Sequence, residues 1–199
     1  MGSKEKEDGY IKFNCEWTIT DPIANDAILG LNKCRAILFS KNLIGMYDNG
    51  IGFGNISKRI DAEQFIITGS ATGRIRELTG QHYTKVTEHN IKTNSLTCEG
   101  PIKASSESLT HASIYLADSD VNAVIHVHSL DLWEKLIDKV PTTSTKIAYG
   151  TPEMANEIIR LFQETDVINQ KIVVMAGHHE GIISFGKDLE EATEIILEK

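Results

Sequence analysis

The spacing of apolar residues along the chain changes repeatedly between a helical and a strand period. Over residues 21–40, apolar side chains recur at intervals of three and four, which predicts a helix packed on a core. Asp21 is its expected N-cap, and Pro22 suits the first helical turn because its φ is already fixed near the helical value. Residues 121–127 instead form a run of β-prone residues with little polarity, which is typical of a buried strand.

The other predicted elements continue this alternation and indicate an α/β domain. Strands are predicted over residues 65–70, 171–176 and 181–185, with short candidates at 90–92 and 95–98. Helices are predicted over residues 105–116, 129–139 and 151–163, and a last one opens at Asp188. The expected caps are Ser105 or Ser106, then Ser129, Thr151 before Pro152, and Asp188. With no repeat or linker visible, residues 21–199 are taken as a single domain. Residues 1–20 are assigned as an N-terminal extension, and the charged first eight as a frayed terminus or a cloning remnant.

Composition narrows the classes of function. The chain has 199 residues and a formal net charge of −8, which argues against nucleic acid as a partner because phosphate binding needs clustered Lys and Arg. Its three cysteines are widely spaced and lie outside CxxC pairs, so a reducing cytoplasm is the expected location. No apolar run reaches the length of a membrane span, and no signal peptide is recognisable.

Histidines at two predicted strand ends suggest a metal site. His126 and His128 are two residues apart in a strand, so both imidazoles project from one sheet face and can reach one ion. Imidazole ligands suit zinc, and a catalytic zinc usually takes three protein ligands. Manganese, cobalt or iron is the alternative in a site that mixes histidines with a carboxylate. His178 and His179 lie between two strands, and because neighbours point in different directions, we expect one of them at most to complete the site.

Glu107 is the expected general acid or base, since its helix leads directly into the histidine strand. A purely structural role at the start of the helix is the alternative, because the helix dipole favours a carboxylate there. Ser105 and Ser106, with the loops at Asn55 and Ser70, can cradle an anion such as phosphate, or can serve only as caps and turns.

The ordered set of motifs resembles the class II aldolase and adducin head-domain family. The segments that carry the resemblance are, in order, Gly54-Asn-Ile-Ser, Ile67-Thr-Gly-Ser, Ser105-Ser-Glu, Ala123-Val-Ile-His-Val-His, Gly150-Thr and Gly177-His-His-Glu-Gly. The best-known members cleave fuculose, rhamnulose and related ketose phosphates, and relatives include an epimerase. The resemblance covers the chain from about Asp21 to its end.

The resemblance implies a three-layer α/β/α domain with a largely antiparallel central sheet, assembled as a homotetramer. It further implies that His126 and His128 bind Zn²⁺, that Glu107 moves a proton, and that four polar residues line a phosphate pocket. Those four are Asn55, Ser70, Ser105 and Ser106. The expected activity is retro-aldol cleavage of a small, phosphorylated hydroxy-carbonyl compound in the cytoplasm, without a membrane or nucleic-acid partner. A dehydratase, an epimerase and a non-catalytic adducin-like interaction module are the alternatives.

Three features of the chain depart from the family pattern. The family's third ligand is usually the histidine directly before a glycine, whereas Glu180 precedes Gly181 here. The ligand is therefore expected to shift to His178 or His179, unless Glu180 itself binds. The segment between Ser129 and Thr151 is shorter than in sugar-phosphate aldolases, and the tail that supplies a tyrosine in some relatives is not found after the last helix.

Overall fold

The computed structural model describes residues 10–199, which form a mixed eight-stranded sheet covered by helices on both faces. Within these residues the strands are β1 (Asn14–Thr18), β2 (Gly45–Met46), β3 (Gly52–Phe53), β4 (Asn55–Arg59), β5 (Phe65–Thr68), β6 (Tyr83–Asn90), β7 (Ser95–Glu99), β8 (Ala123–His128), β9 (Ile172–Val174) and β10 (Gly181–Gly186). The helices are α1 (Asn25–Ser40), α2 (Ser108–Ala117), α3 (Leu130–Leu136), α4 (Pro152–Glu164), α5 (Val167–Gln170) and α6 (Leu189–Leu197), with a 3-10 turn at Gly80–His82.

The strand order in the sheet is β1-β7-β6-β5-β4-β8-β10-β9, and β2 and β3 form a separate small hairpin. The α/β class is confirmed, but the expectation of a largely antiparallel sheet needs correction to a mixed one. Strand β1 runs parallel to β7, whereas the other neighbouring pairs are antiparallel. The parallel pair arises within residues 14–18, a stretch assigned above to the N-terminal extension, for which no strand was predicted.

Two hydrophobic cores lie on the two faces of the sheet. One contains α2, α4 and α5 side chains, and the other contains residues of α1, α3 and α6. Strand β8 contributes to both because successive side chains alternate: Val124 enters the first core, whereas Ala123, Ile125 and Val127 enter the second. His126 and His128 share the parity of Val124, so they face the layer that contains α2.

Several capping predictions are confirmed. Ser129, Thr151 and Asp188 each accept a backbone N–H of the helix that follows, as their positions predicted. Helix α1 differs: it begins at Asn25 after Ala24, and neither Asp21 nor Pro22 belongs to it. Residues 91–94 form the turn between β6 and β7, so the strand candidate at 90–92 is wrong. No helix within residues 10–199 has the length and hydrophobicity needed to cross a bilayer.

Candidate functional site

Three buried histidines meet at one end of β8. His126 and His128 lie on the strand itself, and His178 reaches them from the turn between β9 and β10. The ring centroids are 4.8 Å apart for His126 and His128, 5.1 Å for His126 and His178, and 4.6 Å for His128 and His178. One nitrogen from each ring lies within 4.8 Å of the others, a spacing that one metal ion can bridge.

The turn over residues 175–181 determines which of the adjacent histidines enters the site. Met175 accepts the amide of His178 at 2.9 Å and donates its own amide to Gly181, which closes the turn. His178 is thereby directed inward, with 6% of its surface exposed. The His179 side chain is 70% exposed and lies against Trp133 at a centroid distance of 5.4 Å. The structure thus brings His178, and not His179, to the other two rings.

Tyr47, on the β2–β3 hairpin, links His128 to Glu180. The Tyr47 hydroxyl donates to Glu180 Oε2 at 2.6 Å and lies 2.7 Å from His128 Nδ1. Glu180 itself has a positive φ of 66°, an uncommon conformation for a residue other than glycine. The Tyr47 hydroxyl therefore connects the Glu180 carboxylate to the His128 ring.

Asn55 contacts His126, the other histidine of strand β8. Strand β4 pairs with β8 so that Asn55 lies opposite His126, and the Asn55 amide Nδ2 is 3.2 Å from His126 Nδ1. Asn55 Oδ1 and His126 Nε2 are both buried and have no hydrogen-bond partner within residues 10–199. A half-turn of the amide would let Oδ1 accept from His126 Nδ1–H, leaving the Nε2 lone pair for a metal ion.

The electrostatics of the cluster favour a neutral imidazole at His126. Burial, together with the neighbouring His128 and His178 rings, holds the pKa of His126 well below its ordinary value. The neutral form is the one that binds a metal ion. The residues therefore fit a divalent transition metal on two grounds: the donor set is three imidazoles, and His126 Nε2 is a buried acceptor that no group of the described chain satisfies.

Glu107 lies at the N-cap position of α2, one residue before the helix, rather than within its first turn. Its side chain makes no cap hydrogen bond; Oε2 instead accepts from the Thr110 hydroxyl at 2.7 Å. Glu107 Oε1 lies 4.0 Å from His178 Nδ1. The carboxylate is almost fully buried, and its position beside the histidines suits proton transfer to a group held there.

A single pocket contains most of the residues that the sequence singled out. Its lining includes the three histidines, Glu107 and the four polar residues Asn55, Ser70, Ser105 and Ser106. Eight of the nine predicted site residues therefore meet in one place, and His179 lies outside. Their roles stay predictions, since position alone does not test them.

A buried arginine supports the loop that follows Ser70. Arg35 of α1 is 2% exposed and donates to the carbonyls of Thr72, Gly73 and Arg76 at 3.0–3.2 Å. Among the described residues, no carboxylate forms an ion pair with it. Thr72 and Gly73 line the pocket, so an uncompensated positive charge lies directly behind its wall.

His111 lies behind the pocket in a buried polar group. Its Nδ1 is 2.7 Å from the Ser57 hydroxyl, which also contacts the Tyr115 hydroxyl at 2.7 Å. Burial lowers the pKa of His111 to about 3, so the ring is neutral at ordinary pH.

Sequence reasoning missed three residues at the site. Tyr149 stacks on His178 with a centroid distance of 4.4 Å, and Tyr47 and Arg35 make the contacts described above. Of the three, Tyr47 could have been suspected from the sequence, since it is an aromatic residue within the glycine-rich loop of residues 45–54. Arg35 occupies an ordinary helical position, and nothing in its neighbours distinguishes it from a solvated charge.

Comparison with known proteins identifies the family. A family model described as the class II aldolase and adducin N-terminal domain matches residues 46–198. The chain belongs to this family. The L-fuculose phosphate aldolase of Methanocaldococcus jannaschii is 27% identical to this class II aldolase family member over 173 residues, covering 80% of this chain and 83% of the relative.

Solved structures of class II aldolases share the fold. An L-fuculose 1-phosphate aldolase superposes with a TM-score of 0.66 at 22% identity, covering 89% of this chain and 82% of that one. A sugar-phosphate aldolase from Thermotoga maritima gives a TM-score of 0.60 at 19% identity, covering 87% of this chain and 94% of that one. At these identities the likeness establishes the architecture, and the chemistry depends on the site.

Proposed function

We propose that this chain is a metal-dependent lyase that cleaves a small, phosphorylated hydroxy-carbonyl compound by a retro-aldol reaction. The observation that carries the proposal is the cluster of His126, His128 and His178 beside Glu107 in one pocket. Family membership and the names of two similar proteins, both fuculose phosphate aldolases, point to the same reaction class.

Each residue has a role that its position supports. The three imidazoles would hold the ion, for which zinc is the first choice because an open tetrahedral position on three protein ligands suits catalysis. When bound, such an ion supplies Lewis-acid polarisation of the substrate's oxygens. As the C–C bond breaks, Glu107 would accept the proton of the hydroxyl whose carbon leaves as the aldehyde and return it to the carbon next to the carbonyl. The Thr110 hydroxyl, which donates to Glu107 Oε2 at 2.7 Å, holds the carboxylate in place.

We assign the phosphate end of the substrate to four polar residues that line the same pocket. Asn55, Ser70, Ser105 and Ser106 line the pocket and can donate to phosphate oxygens. Arg35 adds a fixed positive charge behind the loop at residues 72–73, which favours an anion in front of it. The Asn55 amide has two polar atoms, so it can contact His126 with one and the substrate with the other.

The test combines metal analysis with an assay of cleavage. Purified protein is expected to hold about one zinc per chain, and ketose 1-phosphates such as fuculose 1-phosphate should yield dihydroxyacetone phosphate, detected by coupled reduction with NADH. His128→Ala should lose both metal and activity. If metal binds and no phosphorylated sugar in a broad panel is cleaved, dehydration and epimerisation of the same panel follow, and inactivity in all three assays favours an interaction module.

A homotetramer, which the resemblance implies, forms part of this proposal. Light scattering coupled to size-exclusion chromatography measures it directly, and a monomer would contradict it.

A further inference from the structure

Glu180 stands directly before Gly181, where the resemblance places a ligand histidine, yet its carboxylate ends on Tyr47. Oε2 accepts the Tyr47 hydroxyl at 2.6 Å, and Oε1 is 3.8 Å from the exposed His179. We propose that Glu180 and Tyr47 act together as a positioning pair that fixes the tautomer and ring orientation of His128. This inference rests on the metal site proposed above.

Counting protons on the three groups gives the tautomer. A tyrosine hydroxyl carries one proton, and here it is donated to the Glu180 carboxylate, which accepts hydrogen bonds but has none to donate. The hydroxyl therefore presents a lone pair to His128 Nδ1, 2.7 Å away, so that nitrogen must carry the imidazole proton. Nε2 is left with its lone pair, and it becomes the ligating atom.

Backbone hydrogen bonds hold together the three segments that carry His128, Tyr47 and Glu180. The amide of His128 donates to Leu43 O at 3.0 Å, just before the hairpin that carries Tyr47. The amide of Ser129 donates to Glu180 O at 3.0 Å. Ring contacts add to this, because Phe53 lies 4.5 Å from the Tyr47 ring and 5.5 Å from the His128 ring. The positioning pair is therefore held in place by the fold, and we expect its loss to lower the affinity for the metal ion.

The experiment is a double-mutant cycle on Zn²⁺ affinity, measured by competition with a chromophoric chelator. Tyr47→Phe removes only the hydroxyl and should weaken binding by about 10- to 100-fold at unchanged stoichiometry, the usual cost of losing an outer partner of a ligand. Glu180→Gln should also weaken binding. Because Glu180 acts through Tyr47, adding Glu180→Gln to Tyr47→Phe should change the affinity by less than about twofold.

A matched control and a spectroscopic readout separate positioning from general damage. His179→Ala changes the exposed neighbour in the same turn and should bind Zn²⁺ as the wild type does. Circular dichroism checks that each variant is folded. With Co²⁺ in place of Zn²⁺, the visible absorption bands should shift in Tyr47→Phe and stay unchanged in His179→Ala, because only the former alters a ligand's orientation.

The outcomes distinguish this inference from the proposed function. Equal, additive losses from Glu180→Gln in both backgrounds would show that Glu180 acts independently of Tyr47 and would overturn the positioning pair. Tyr47→Phe with wild-type affinity and an unchanged Co²⁺ spectrum would overturn it as well, while leaving the metal site intact. Failure of the wild type itself to bind Zn²⁺ or Co²⁺ would overturn the proposed function, and the inference with it.

Discussion

Replacing Gly177 with alanine should disable the proposed metal site through a single added methyl group. A Cβ at this position would lie 2.8 Å from the carbonyl carbon of Ile147 and overlap its oxygen more deeply. Ordinary contact begins at 3.4 Å, so the turn must move by at least 0.6 Å even to clear the carbon. The obstacle is backbone, which has no rotamer that relieves the overlap. His178 is the next residue and would move with the turn.

This displacement is several times the roughly 0.2 Å tolerance of metal–ligand distances. We expect Zn²⁺ affinity to fall by about 100-fold or more, and the free energy of unfolding by about 1–3 kcal/mol, the range for overpacking. Chelator competition measures the first quantity and urea unfolding of the metal-free protein the second. Gly52→Ala is the matched control, because Gly52 lines the pocket of the three histidines and a Cβ added there would meet nothing closer than 3.4 Å. Wild-type Zn²⁺ affinity in Gly177→Ala would refute the reasoning.

Three further predictions address proton transfer, pH dependence and the support of the pocket wall. Glu107→Gln should keep stoichiometric zinc while kcat falls by about 10²- to 10⁴-fold, measured in the cleavage assay; an unchanged kcat would exclude Glu107 as the proton-transfer group. The pKa of His111 is about 3 in the folded protein against an ordinary 6.5, so the unfolded chain binds the extra proton between these values. The free energy of unfolding of the metal-free protein should therefore fall as the pH drops from 6.5 towards 3, by about 1.4 kcal/mol per pH unit from this residue, and urea titrations should show a shallower slope in His111→Gln. Arg35→Lys keeps the charge but loses the forked donation to three carbonyls, so it should cost roughly 3 kcal/mol in thermal or urea unfolding and raise KM for a phosphorylated substrate.

The parts of the fold that depend on local signals were predictable. Ser129, Thr151 and Asp188 cap their helices because a short polar side chain satisfies an amide of the first turn whatever surrounds it. Asp21 and Pro22 carried the same local signal, but the helix starts at Asn25. There, the backbone amide of Ile23 donates to Gly80, a tertiary contact that a local pattern does not reveal.

The site shows the same division between local and long-range information. The strand period placed His126 and His128 on one face, and the adjacency of His178 and His179 implied that only one would point inward. Which one depends on the closure of the turn by Met175 and Gly181, contacts that the sequence pattern does not specify. Tyr47 reaches His128 across 81 positions of sequence, and Arg35 reaches Thr72 across 37, so neither could be assigned from spacing.

The central position of β8 has a consequence for how the protein opens. Because β4 and β10 flank this strand on both sides, the amides of its inner residues should be among the last to exchange with deuterium, on the scale of global unfolding. Two segments have no paired strand on both sides: the hairpin of β2 and β3, and the loop at residues 69–73. Their amides should exchange with deuterium through smaller, local openings. Two of the three proposed metal ligands are thus set in the most persistent part of the molecule, whereas Tyr47 and the loop at residues 69–73 lie in parts that can open locally without unfolding it.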